Sequence, residues 1–184
     1  QYFPKLAASF DDPRAELIIG DGVAYVKEAA EAGDAFDVVL VDSTDPVDAA
    51  VDLFTPQFYR GCAALLGDAG ILVPQSDSPS FNIAAVRRIH ASLDAIFAST
   101  STYLAQTIAY PAGLWAFVGA TNGVALTDAA LEPSRFDALE PQLRYLNRDV
   151  YRAAFALPQY VRRGLAGESW SGPSPQISDA PPYA

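Results

Sequence analysis

Two aspartates, Asp42 and Asp45, follow an apolar run at residues 38–41 and are separated by a serine and a threonine. The run, Val-Val-Leu-Val, is typical of a strand buried on both faces of a parallel sheet, so Asp42 falls at the carboxyl end of that strand. In open α/β sheets this end faces the ligand crevice. Two carboxylates placed there could hold a cationic amine and take a proton from it.

The alternative for this pair is a solvated turn. Pro46 prevents a helix from continuing through Asp45, and an aspartate ahead of a proline often initiates a bend. Asp42 is harder to explain in this way, because it comes directly after four apolar residues. We therefore interpret the position of Asp42 as functional.

Three further candidates lie at similar junctions. Asp21 stands between Gly20 and Gly22 and either caps the helix that follows or accepts a hydrogen bond from a nucleotide base. Gln75 ends a predicted strand at the same edge as Asp42 and could line the same crevice. Tyr110 opens a turn, where packing alone also explains an aromatic residue.

Several other chemistries find no support in the sequence. The chain has one histidine and one cysteine, so no metal site is predicted. His90 is expected to be a half-buried helix residue paired with Asp94, four positions later. Cys62 is expected to be a small core residue. No serine occupies the strand-to-helix turn that a nucleophile elbow requires.

The predicted elements alternate between strands and helices. Residues 16–20 and 36–42 are predicted strands on either side of a helix at 23–32, which indicates a right-handed crossover and a parallel sheet. Further along, we predict a helix at 57–66 opened by Pro56, a strand at 71–75, and an amphipathic helix at 81–97.

The pattern changes after this helix. Two β-rich runs at 102–110 and 114–121 flank Tyr-Pro-Ala-Gly, which fits a type I turn and a hairpin. Helix and loop are predicted at 128–145, and a helix at 148–165 that is interrupted near Pro158. We predict one α/β domain over residues 1–166, with a mostly parallel sheet and an antiparallel hairpin edge. Residues 167–184 are expected to be a disordered tail.

Composition narrows the function classes. A formal net charge of −10 argues against non-specific nucleic-acid binding, which needs a basic surface, and would suit a cationic small molecule. No apolar run approaches the roughly 18 to 20 residues of a membrane span, and no export signal is seen. We expect a cytoplasmic protein. Because the chain begins with Gln1 and contains no methionine, we also expect it to be part of a longer product.

Taken together, these segments resemble the spermidine synthase family, the polyamine aminopropyltransferases. The blocks that carry the resemblance keep the family's order and spacing over residues 1–165. They are GDG at 20–22, VDSTDP at 41–46, LFTPQFY at 53–59, GILVPQS at 70–76, YPAG at 110–113 and YLNRDVYRAAFALPQY at 145–160.

The resemblance implies a Rossmann-like fold of the AdoMet-dependent transferase type. It also implies aminopropyl transfer from decarboxylated S-adenosylmethionine to a diamine, with putrescine as the expected acceptor and spermidine and methylthioadenosine as products. Asp42 would be the general base, Asp45 would hold the diamine, and Gln75 and Tyr110 would line the acceptor channel. Asp21, with Gly22 beside it, would bind the adenine amino group. No cofactor or metal is implied, and the family is usually dimeric or tetrameric.

The sequence departs from the family pattern near the expected site. Asp48-Ala49 replaces a common Gly-Pro pair in the loop that closes over the site, and Val51 replaces an acid. Asp77 stands in a block that resembles Gln-Ser-Glu, and Ala109 replaces the threonine before the channel tyrosine. These changes bear on loop closure and on acceptor choice.

The resemblance also implies segments that this sequence does not contain. They are the family's N-terminal β-rich domain, its first nucleotide strand with the glycine-rich turn, and its second strand with the ribose-binding acid. The two strands would lie between the strand at 16–20 and the Asp42 strand, so we expect these residues alone not to bind decarboxylated AdoMet. Two other functions stay open: an AdoMet-dependent methyltransferase of the same fold, and a non-catalytic polyamine-binding homologue.

Overall fold

A computed structural model describes residues 3–44, 48–110, 113–127 and 132–168. The described chain forms an α/β domain of four strands and seven α-helices, with short 3-10 helices at Ala8–Asp11, Asp48–Phe54 and Glu140–Gln142. The strands are β1 Phe36–Val41, β2 Leu66–Pro74, β3 Ser99–Gln106 and β4 Leu114–Thr121. The helices are α1 Pro4–Ala7, α2 Gly22–Ala32, α3 Pro56–Ala64, α4 Pro79–Asp94, α5 Pro133–Leu139, α6 Arg148–Ala154 and α7 Gln159–Leu165.

The four strands form one mixed sheet in the order β1-β2-β4-β3. β1 and β2 are parallel and are connected through α3, as a crossover requires. β4 is antiparallel both to β2 and to β3, and β3 with β4 forms the predicted hairpin at the edge. The α/β class and the antiparallel hairpin edge are therefore confirmed. The sheet was predicted to be mostly parallel, whereas among the described strands one pairing, β1–β2, is parallel and two are antiparallel, so the described sheet is mixed.

The main core lies between the sheet and the helices α2, α3 and α4. Alternate residues of β4 point toward these helices, because side chains along a strand alternate between its faces. Val118 and Ala120 are fully buried there, together with Leu72 of β2 and Leu93 of α4. The helix prediction at α4 rested on apolar residues spaced three or four positions apart, and these residues face the core.

A smaller cluster joins α7 to the same face of the sheet. Val161 of α7 is fully buried beside Val86 of α4, Leu104 of β3 and Ala116 of β4. The opposite face of β3 and β4 carries Tyr103, Phe117 and Trp115, which are half-buried. A cavity opens on this second face near the ends of β1 and β2.

Three predictions need correction or refinement. The strand at 38–41 was expected to be buried on both faces, but Val38 and Leu40 are exposed, because β1 is the end strand among the described strands and one of its faces is uncovered. Residues 16–20 do not form a strand: they have no regular secondary structure, and Leu17, Ile18 and Ile19 are exposed. β-branched residues favour a strand only where a neighbouring strand supplies hydrogen bonds, and no strand in the described part of the chain lies beside this segment. The interruption near Pro158 is confirmed, since α6 ends at Ala154 and Pro158 caps α7.

Some predictions fall outside the described residues. They include the two central residues of the hairpin turn, Pro111 and Ala112, and nearly all of the tail predicted at 167–184. Across residues 3–44, 48–110, 113–127 and 132–168, none of the helices combines the length and the hydropathy that a membrane span would need.

Candidate functional site

A cavity of about 600 Å³ opens where β1 and β2 end. It is bounded on one side by the residues that leave β1 and on the other by the hairpin. The lining residues are Leu40, Val41, Asp42, Ser43, Thr44, Val73, Gln75, Tyr103, Thr107, Tyr110, Trp115 and Phe117. The cavity therefore lies at the carboxyl ends of the parallel strands, where open α/β sheets bind ligands.

Asp42 is brought into this cavity by the register of the two parallel strands. Val41 pairs with Pro74, and the Val41 carbonyl accepts a hydrogen bond of 2.9 Å from the Gln75 backbone N–H. Asp42 and Gln75 are thus the next residues along their strands. The Asp42 side chain is exposed and lines the cavity, so its carboxylate is accessible to a ligand. Asp45 lies outside the described residues.

Gln75 is buried, at 7% exposure, and its side chain makes three hydrogen bonds. Its Nε2 donates to the Ser43 carbonyl at 3.1 Å. Its Oε1 accepts from the Asp77 backbone N–H at 3.0 Å and from the indole Nε1–H of Trp115 at 2.9 Å. The sequence placed Gln75 at this edge correctly, but these three partners depend on tertiary contacts.

The opposite wall of the cavity is aromatic. The Tyr110 ring stacks on the Trp115 ring with centroids 4.4 Å apart, and Tyr103 stacks on Phe117 at 5.4 Å. Burial, with a smaller contribution from Tyr151, raises the pKa of Tyr103, so its hydroxyl stays protonated. Tyr110 was predicted, whereas Trp115 was missed. The signal that could have found it is strand alternation, since Trp115 and Phe117 lie on one face of β4.

An exposed carboxylate facing several aromatic rings is suited to a cationic amine. Ring faces attract ammonium groups, and a carboxylate both pairs with the cation and can accept a proton from it. Neutral or anionic ligands would gain less from this combination. Among the described residues, no three His, Cys, Asp or Glu side chains come together as a metal site would require.

Asp21 and Gly22 lie away from this cavity, at the start of α2. Asp21 is the helix cap: its Oδ1 accepts from the backbone N–H of Val23 at 2.8 Å and of Ala24 at 3.4 Å. The capping interpretation is therefore confirmed, and binding of an adenine group stays a prediction. A Cβ atom added at Gly22 would lie 3.7 Å from Leu53, so the 3-10 helix at Asp48–Phe54 packs beside this turn.

His90 is half-buried on α4 as predicted, and it interacts electrostatically with Asp94, but its hydrogen bond is made with another residue. The His90 Nδ1 lies 2.9 Å from the hydroxyl oxygen of Thr102 on β3, a partner from another element. Burial lowers the pKa of His90, and the charge of Asp94 opposes that shift. Cys62 is fully buried as predicted, and burial raises the pKa of its thiol to about 12, so it is not a reactive thiolate.

Comparison with known proteins decides the family. The family model for the spermine/spermidine synthase domain matches residues 1–129. The chain belongs to the spermine/spermidine synthase family. Polyamine aminopropyltransferases from Desulforudis audaxviator and Methylococcus capsulatus are 40% and 42% identical to it over 161 and 169 residues, which are 88% and 90% of this chain.

Solved structures of this family agree with the fold. A spermidine synthase in complex with the transition-state analogue AdoDATO superposes with a TM-score of 0.81 at 32% identity, covering 90% of this chain and 55% of that one. The spermidine synthase from Thermotoga maritima gives a TM-score of 0.78 at the same identity. These neighbours confirm the Rossmann-like transferase fold. The chain spans 56% of the length of the curated relatives named above.

Two departures from the family pattern can be located in the structure. Val51 is exposed on the 3-10 helix before α3 and lines a second cavity of about 450 Å³. Asp77 has a left-handed backbone, with φ of 72°, and its carboxylate accepts hydrogen bonds from Asn82 at 2.8 Å and from the Ser78 backbone N–H. The Asp77 carboxylate is thus engaged within the fold. For Asp48 and Ala49, nothing is described beyond the backbone of the 3-10 helix.

Proposed function

We propose that the protein containing these residues transfers an aminopropyl group from decarboxylated S-adenosylmethionine to putrescine, giving spermidine and methylthioadenosine. The observation that carries the proposal is that Asp42 and the stacked rings of Tyr110 and Trp115 line one cavity, in a chain that belongs to this family. The net charge of −10 also suits a dicationic acceptor.

In this proposal Asp42 is the general base. An alkyl ammonium has a pKa near 10.4 and no lone pair, so the attacking nitrogen must lose a proton before it can act as a nucleophile. Asp42 takes that proton. The nitrogen then forms a bond to the methylene carbon next to the sulfonium as the carbon–sulfur bond breaks. The bonding electrons go to sulfur, and methylthioadenosine leaves without charge.

The other predicted residues bind the substrates or form the walls around them. Asp45 would pair with the distal ammonium and so keep the attacking nitrogen in line with the carbon–sulfur bond. Gln75 and Tyr110 line the channel for the acceptor, and Asp21 with Gly22 would hold the adenine. Binding of both substrates in one geometry is the main contribution that such a site makes, because neither a cofactor nor a metal is needed for this displacement.

The test is product formation by the full-length protein. Incubation with putrescine and decarboxylated AdoMet should give spermidine and methylthioadenosine in equal amounts, measured by mass spectrometry. AdoMet in place of its decarboxylated form should give neither product, since its carboxylate is repelled by an acidic site. Methyl transfer from AdoMet would contradict the proposal in favour of a methyltransferase. Putrescine binding without turnover would favour a non-catalytic homologue.

A cytoplasmic location and assembly as a homodimer or homotetramer complete the proposal. The location is inferred from the single cysteine and the absence of an export signal in this sequence, and the assembly from the family resemblance; both stay predictions.

A further inference from the structure

The side chain of Gln75 connects the two walls of the cavity. On one side it donates to the carbonyl of Ser43, the residue that follows Asp42. On the other side it accepts from the indole N–H of Trp115, whose ring stacks on Tyr110. The backbone of Gln75 joins the same two walls. Its N–H donates to the Val41 carbonyl, and Gln75 forms an isolated antiparallel β-bridge with Phe117 of β4.

The orientation of the Gln75 amide is determined by its partners. The indole N–H of Trp115 and the backbone N–H of Asp77 can only donate, so both must face the amide oxygen. The Ser43 carbonyl can only accept, so it must face the amide nitrogen. If the amide were flipped, its NH2 group would face the N–H groups of Trp115 and Asp77, and its oxygen would face the Ser43 carbonyl, so all three hydrogen bonds would be lost.

This arrangement leaves Gln75 poorly suited to bind an ammonium group. An ammonium carries only donors and needs an acceptor oxygen. The amide oxygen has two lone pairs, and Trp115 and Asp77 occupy both. One N–H of Nε2 donates to Ser43, so only its second N–H is unused. That group is a donor and cannot accept a hydrogen bond from an ammonium. Direct recognition of the amine therefore falls to groups other than Gln75, which include Asp42 and the aromatic rings.

We propose that Gln75 is a positioning residue that fixes the Asp42 loop at a set distance from the Tyr110–Trp115 wall. This inference rests on the proposed aminopropyl transfer. Movement of a general base by about 1 Å can cost on the order of a hundredfold in rate, so a brace between the base and the opposite wall acts mainly on kcat. The same amide oxygen also accepts from the backbone N–H of Asp77, a residue with a left-handed backbone conformation, so the Gln75 side chain is held from a third direction.

The decisive variant is Gln75→Glu in the full-length protein. The carboxylate keeps the shape of the side chain and still accepts from Trp115 and Asp77, but it loses the hydrogen bond to Ser43 until it is protonated. We expect kcat to fall about 10- to 100-fold relative to the wild type at neutral pH, without tighter diamine binding. Because Asp42 must stay ionised in both proteins, the informative quantity is the ratio of the variant's kcat to the wild-type kcat at the same pH, which should rise as the pH is lowered. If Gln75 bound the amine directly, the added negative charge would instead lower the Kd for putrescine with kcat maintained. That result would overturn the inference.

Gln57→Glu is the matched control, because Gln57 is exposed in the first turn of α3 and lies outside the cavity. It adds the same charge and should leave kcat and the putrescine Kd within twofold of the wild-type values. An equal fall in kcat in both variants would overturn the inference, because charge alone would then explain the effect.

A second measurement does not depend on turnover. The indole N–H proton of Trp115, identified by loss of its NMR resonance in Trp115→Phe, should shift and exchange faster with solvent in Gln75→Leu but not in Gln75→Glu. An unchanged resonance in folded Gln75→Leu would mean that the hydrogen bond is absent and would overturn the brace. If the wild-type protein formed no spermidine, the proposed function would fail, while the indole resonance would still decide whether the brace exists.

Discussion

Replacement of Asp42 by asparagine separates the proposed chemistry from the stability of the fold. The side chain is exposed at the end of β1, and among the described residues no group hydrogen-bonds to its carboxylate. Substitutions at exposed sites of this kind change the free energy of unfolding by about 0.5 kcal/mol or less. Asparagine also keeps the size of the side chain. Any large loss of activity must then come from the loss of the carboxylate.

The expected loss can be set by the role of a general base. Such a group contributes a factor of about 10² to 10⁴ in rate, which corresponds to about 3 to 5 kcal/mol of the activation free energy. We expect this decrease in kcat for Asp42→Asn.

Asp37→Asn provides a control on the same strand. Asp37 is exposed and five residues earlier, so its Cα lies about 16 Å from that of Asp42 along an extended strand. That distance exceeds the Debye length of about 8 Å at physiological salt, so removal of the Asp37 charge should change kcat less than twofold.

The assay is steady-state formation of methylthioadenosine from putrescine and decarboxylated AdoMet by the full-length protein, with urea unfolding of each variant measured in parallel. A kcat for Asp42→Asn within threefold of the wild-type value would refute the assignment of the base. Equal losses in both variants would also refute it, because net charge rather than position would then be responsible.

Three further outcomes are expected. Tyr110→Leu should raise the KM for putrescine about 2- to 30-fold, because one ring of the cation-binding wall is lost, whereas Tyr110→Phe should change it little; unaltered KM in both would count against the wall. Burial lowers the pKa of His90 in the folded state, despite the opposing charge of Asp94, so as the pH falls the unfolded state takes up the proton before the folded state does. The free energy of unfolding should therefore decrease as the pH drops below about 6.5. Urea titrations at several pH values should show a weaker pH dependence for His90→Gln. Gly164→Ala places a methyl group against an isoleucine of α4 and should lower the free energy of unfolding by about 1 to 3 kcal/mol. Gly67→Ala is the control and should be nearly neutral, because its new Cβ would have no neighbouring atom within 4 Å. Equal denaturant midpoints for the two variants would contradict this prediction.

Patterns confined to one element were predicted well from the sequence. The apolar run of β1 fixed the place of Asp42, and the periodicity of α4 and the turn after Tyr110 gave the helix and the hairpin. Such features depend on neighbours a few residues apart. They therefore depend little on which distant segments pack against them.

Features that depend on tertiary neighbours were missed. Residues 16–20 have the composition of a strand but lack a neighbouring strand among the described residues. His90 takes Thr102, twelve positions away, rather than the acid one turn along its helix. The bond between Trp115 and Gln75 spans 40 positions and exists only because β2 and β4 are adjacent.

The position of β1 at the end of the sheet has a practical consequence. Among the described strands it pairs only with β2, and Val38 and Leu40 are 49% and 71% exposed. An apolar strand with an unpaired backbone edge is a template for intermolecular β-pairing. A polypeptide limited to these residues should therefore aggregate as its concentration rises, which light scattering would detect.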